Sequence, residues 1–163
     1  MSVVSVLASL ILLGASGPGY SSGFRSIQLN ASQTPGFKLL TMGNGRTRDG
    51  VPTYFSNYES SGGNKLYKIL IEFQSTERCN EQLNALIKAS VKLIERGPRK
   101  DRDGHTVGER IVVLLPTKLP DERLAAIAWT NGKKYTDIRS NSLEDLQAFE
   151  KGVRETPSAD ASH

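Results

Sequence analysis

One cysteine and two histidines carry the nucleophilic and general-base chemistry open to this chain of 163 residues: Cys79, His105 and His163. A thiol nucleophile needs a base beside it. Cys79 falls in the first turn of an amphipathic helix, where the backbone dipole stabilises a thiolate. His105 is the internal histidine that could pair with it, since His163 is the last residue. The same cysteine shares a helical stripe with Leu83 and Leu86, and that is the pattern of a buried core thiol. A single cysteine forms no intramolecular disulfide.

Metal chemistry has a thinner basis. "DRDGHTVGE" groups Asp101, Asp103, His105 and Glu109 in the manner of a calcium loop. When Gly104 is aligned with the invariant glycine of such a loop, Arg99 takes the place of the first acid and Arg110 that of the bidentate Glu, so the match fails. With one cysteine and one internal histidine, a zinc site lacks its usual ligands. No metal is expected.

"GNG" at 43–45 leads into a strand rather than a helix, so it is not a dinucleotide fingerprint. The phosphate-loop and nucleophile-elbow patterns are absent from the sequence, and no cofactor is expected. Glu77 and Glu81 share the polar side of a helix and read as solvated charge.

Aromatic and basic residues alternate from 46 to 68: Arg46, Arg48, Tyr54, Phe55, Tyr58, Lys65, Tyr67 and Lys68. Strand faces of this kind hold single-stranded nucleic acid in several folds. Tyrosines equally suit half-buried strands that bind nothing. From this stretch Arg46, Arg48, Tyr54, Tyr58 and Tyr67 are taken as the ligand-binding candidates.

The elements that must position these residues follow from periodicity. Ile27 and Leu29 fit a short strand. "FKLLTM" alternates with period two and "GNGRTRDG" reads as a turn. "VPTYFSNYE" is a strand opened by Pro52, and "KLYKILIEF" is nearly continuous in apolar residues, as a central strand is. In "ERCNEQLNALIKASVKLIERG" apolar residues recur every three or four positions. The spacing predicts one long helix, capped by Ser75 or Thr76, ended by Gly97-Pro98, and burying Leu83, Ile87, Val91 and Ile94.

"ERIVVLLP" is a second central strand. "LPDERLAAIAWTNG" fits a helix, yet Ile127, Trp129, Thr130, Tyr135 and Thr136 around Asn131-Gly132 favour a hairpin, and the hairpin is preferred. Ser142 caps a short final helix that faces Leu143, Leu146 and Phe149 inward and stops at Gly152.

The expected class is α+β: a mainly antiparallel sheet of about six strands with one long and one short helix, behind an N-terminal signal-like helix. Residues 24–152 form the single domain and 153–163 a disordered tail. The net charge of +4 is compatible with nucleic acid or anionic lipid, but "ERGPRKDRDGH" mixes both signs, as a solvated connection does.

Residues 1–23 decide the address. The apolar run from Val3 to Ala15 is short for a bilayer and of the right length for an export signal, with small residues following at cleavage offsets. No Lys or Arg precedes it, and an anchor formed by residues 3–16 is the alternative. The sequence therefore predicts an exported, periplasmic or secreted, non-catalytic binding or interaction protein. Its partner is a protein or small molecule rather than nucleic acid, and it touches membrane only through its N-terminal segment. The alternatives are an enzyme assembled around Cys79 and His105, and a single-stranded nucleic-acid binder using strands 46–68.

Overall fold

The computed structural model describes residues 34–101, 103–118 and 122–155. The signal-like run, the short strand at Ile27 and Leu29, and the tail beyond 155 lie outside the described residues. The elements are β1 (Phe37–Arg46), β2 (Pro52–Ser60), β3 (Lys65–Glu72), α1 (Thr76–Ala89), β4 (Lys92–Lys100), β5 (Thr106–Leu115), β6 (Leu124–Asn131), β7 (Lys134–Ser140) and α2 (Leu143–Glu155). The strands make one sheet in the order β1-β2-β3-β7-β6-β5-β4, and every neighbouring pair is antiparallel. Among the described residues no helix is long and apolar enough to cross a membrane.

Strand alternation sends successive side chains to opposite faces, and each face has its own core. Leu66, Ile127, Ile138 and Val112 meet Leu146 and Phe149 of α2. Ile111, Val113, Ala126, Ala128 and Tyr135 meet Cys79, Leu83 and Leu86 of α1. The α+β class holds, with a helix on each face of an antiparallel sheet.

Three expectations are corrected. The long helix stops at Ala89, where the Ser90 hydroxyl donates to the Ile87 carbonyl at 2.7 Å, and Val91 N–H then bonds Leu114 O at 2.9 Å. What followed in the helical pattern is β4, a seventh strand. Val91 is 67% and Ile94 44% exposed, so neither is core. The physical reason is that β5, apolar on both faces, needs a partner along its outer edge, and backbone pairing to it outweighs continued helix.

Secondly, β1 runs through Gly43–Gly45 to Arg46, and the turn lies beyond it at 47–50, with Gly50 at φ 77°. Thirdly, Gly152 does not end α2; a Cβ there would lie 2.8 Å from Thr34 Cγ2, so the glycine admits a neighbour rather than a cap. The hairpin is present: β6 and β7 are joined across Gly132-Lys133, with Gly132 at φ 58°. The Ser142 cap is present too, accepting from Asp145 N–H at 3.1 Å.

Candidate functional site

On the α2 side of the sheet, alternation places Tyr54, Ser56 and Tyr58 of β2 in one row. Register sets Lys68 of β3 directly between Ser56 and Ile138, with Thr136 of β7 on the diagonal. All of these side chains are buried, Lys68 to 7% exposure. The Ser56 hydroxyl donates to Tyr58 Oη at 3.2 Å, and the Tyr58 ring packs on Phe149 at 4.7 Å between centroids. Burial pushes the pKa of both tyrosines, 54 and 58, above the ordinary phenol range.

The Lys68 ammonium has no hydrogen-bond or ion-pair partner among the described residues. Loss of hydration alone brings its pKa down to about 8. Among the described residues no carboxylate offsets that cost. Buried charges are ordinarily paired, because an isolated one loses its hydration for nothing. A buried lysine with hydroxyl side chains at neighbouring strand positions and no charge partner among the described residues has the chemistry of an anion site.

The opposite face carries a second polar group. Arg139 donates from Nε and Nη2 to Asp137 Oδ2 at 2.9 and 2.5 Å. Burial opposes the arginine's charge, but the Asp137 carboxylate more than offsets it and raises the pKa. Asp137 Oδ1 and the Tyr135 hydroxyl are buried with no hydrogen-bond partner among the described residues. Burial first, then the neighbouring Asp137 charge, pushes the Tyr135 phenol well up.

A third group is structural. Glu150 of α2 accepts from Arg99 at 2.7 Å and from Arg110 Nε and Nη2 at 2.8 Å each, while Arg110 reaches Glu95 at 2.8 Å. The Arg99 guanidinium stacks over Trp129, 4.3 Å from the ring centroid. This network ties α2 to β4 and β5.

The five residues singled out in the sequence divide between the two faces. Tyr54 and Tyr58 are buried beside Lys68, and Arg46 lies close enough to Tyr54 to act on its charge. Tyr67 lies on the other face near Arg139 and Asp137. Arg48 is exposed in the β1–β2 turn, where Arg46 and Glu72 help line an open cleft of about 460 Å³.

Cys79 is fully buried and desolvation raises its thiol pKa, whereas His105 is exposed beside the β4–β5 turn. The two share no contact that would activate a thiolate. Asp101, Asp103 and His105 bring one potential ligand atom each within 4.8 Å of one another, all exposed. Asp101 Oδ1 there accepts the backbone N–H groups of 103 and 105, which is turn chemistry.

Sequence reasoning passed over Lys68, although a signal was present: in "KLYKILIEF" it alternates in phase with Leu66 and Leu70, a charged residue at an inward position of a central strand. Comparison with family models, with curated proteins and with solved structures finds no match to this chain.

Proposed function

We propose that this chain is a non-catalytic binding domain that takes a small anionic ligand, a carboxylate or phosphate, at Lys68. The observation that carries the reading is the buried Lys68, without a charge partner among the described residues, next to Ser56, Tyr58 and Thr136 in the sheet. A bound anion would restore the charge partner that burial removes, and the hydroxyls would donate to it. The absence of an activated nucleophile at Cys79 supports binding over catalysis. Export remains part of the reading on the strength of the sequence at 3–23, and N-terminal sequencing of protein from the producing cell tests it.

Thermal melts in a panel of phosphate, acetate, citrate and medium-chain fatty carboxylates test the site. A ligand that binds only the folded chain raises Tm in proportion to RT ln(1 + [L]/Kd). At least one anion is expected to raise Tm for the native sequence and to leave Lys68→Met unmoved. No shift with any anion, or an equal shift in Lys68→Met, overturns the site.

A further inference from the structure

The sheet face under α1 is covered unevenly. The helix packs on β5, β6 and β7. Over β1, β2 and β3 the same face presents Phe55 and Tyr67, both half-buried and belonging to neither core. Register makes them diagonal neighbours, since Phe55 pairs with Ile69 and Tyr67 with Asn57. Diagonal positions on an antiparallel pair are about 7 Å apart, close enough for two rings to act on consecutive groups of one ligand.

Phe55 lies against the sheet rather than standing up from it. Its cross-strand partner is Gly43, and a Cβ at that position would meet the ring, with Cε2 at 2.8 Å and Cε1 at 3.1 Å. The missing side chain lets the ring recline over β1. Arg139 pairs with Tyr67 across the next strand boundary. Asp137 holds Nε and Nη2, so the guanidinium is oriented, and Nη1 has no hydrogen-bond partner among the described residues. Lys38, exposed on β1 and directly opposite Glu59, adds a second cation on this face.

We infer that this open half-sheet binds single-stranded nucleic acid, with Phe55 and Tyr67 each stacking a base and Arg139 and Lys38 taking backbone phosphate. Flat aromatic faces beside oriented cations are what sequence-tolerant single-strand recognition requires. The site is distinct from the Lys68 centre, which lies on the opposite face. It also differs from the set read off the sequence, because Tyr54 and Tyr58 are turned away from it.

The test is fluorescence anisotropy of the full chain with a labelled short oligothymidylate, and with labelled heparin as an anionic chain that has no bases. Phe55→Ala and Tyr67→Ala are each expected to weaken oligonucleotide binding roughly 10- to 100-fold while leaving heparin unchanged. Tyr67→Phe keeps the ring and should bind as the native chain does. Lys68→Met should be silent here, which separates this site from the anion site. Heparin binding without oligonucleotide binding would overturn the inference in favour of an acidic polysaccharide surface. Equal oligonucleotide affinity in both alanine variants, each with a native circular dichroism spectrum, would also overturn it.

Discussion

Replacing Lys68 by Met should stabilise this protein at neutral pH, and the gain should vanish in alkali. The magnitude follows from the pKa, 10.5 for an ordinary lysine and about 8 in the folded chain. Each unit corresponds to about 1.4 kcal/mol, so holding the ammonium buried costs about 3 kcal/mol below pH 8. The unfolded chain holds this proton more tightly than the folded one. Stability therefore rises with pH between the two pKa values, and the penalty is fully present only below the lower one. Methionine is unbranched and of similar length, so it fills the same space without the charge. Urea melts of both chains at pH 7 and at pH 10 measure the effect. The expected difference is about 3 kcal/mol in favour of Lys68→Met at pH 7, narrowing towards zero at pH 10. All other titrating groups are common to the two chains and cancel. A variant less stable than the native chain at pH 7, or a difference that does not change with pH, would refute the reasoning.

Removing Glu150 takes a shared carboxylate from Arg99 and Arg110, whose side chains are only 10% and 11% exposed, so Glu150→Ala should cost about 3–5 kcal/mol in denaturant melts. Leu83→Ala should cost about 2–5 kcal/mol, because the side chain is fully buried between α1 and the sheet, whereas Val91→Ala, at an exposed residue just before β4, should cost less than about 0.5. Equal losses at the two positions would restore the single long helix. A thiol reagent should label Cys79 slowly in the native state and quickly in urea, since burial both hides the sulfur and raises its pKa; fast native labelling would revive the nucleophile.

Local chemistry was enough for much of the fold. Period-two alternation located β1, apolar runs located β3 and β5, Asn131-Gly132 marked the β6–β7 hairpin, and Ser75 and Ser142 capped their helices as their side chains dictate. Each of these is decided within a few residues, so a linear reading captures it. The second half of the long helical pattern was not local. Val91 and Ile94 fit three- and four-residue spacing, but the unpaired edge of β5 pulled that segment into the sheet. Period alone contains no information about which strand lacks a neighbour.

The candidate sites show the same division. Composition singled out the aromatic and basic residues of 46–68, and several of them do line the two polar groups. Which face each one takes was set by register: β2 and β3 send Tyr54, Tyr58 and Lys68 to the face of the sheet that carries α2, and Phe55 and Tyr67 to the other side. Asp137, Arg139 and Thr136 come from a strand nearly seventy residues later in the chain, and Glu150 from a helix beyond it. Residue types and their spacing are properties of the chain itself. The loss of water around Lys68, and the partners that Arg139 and Glu150 find, exist only once distant strands pair and the helices close over them.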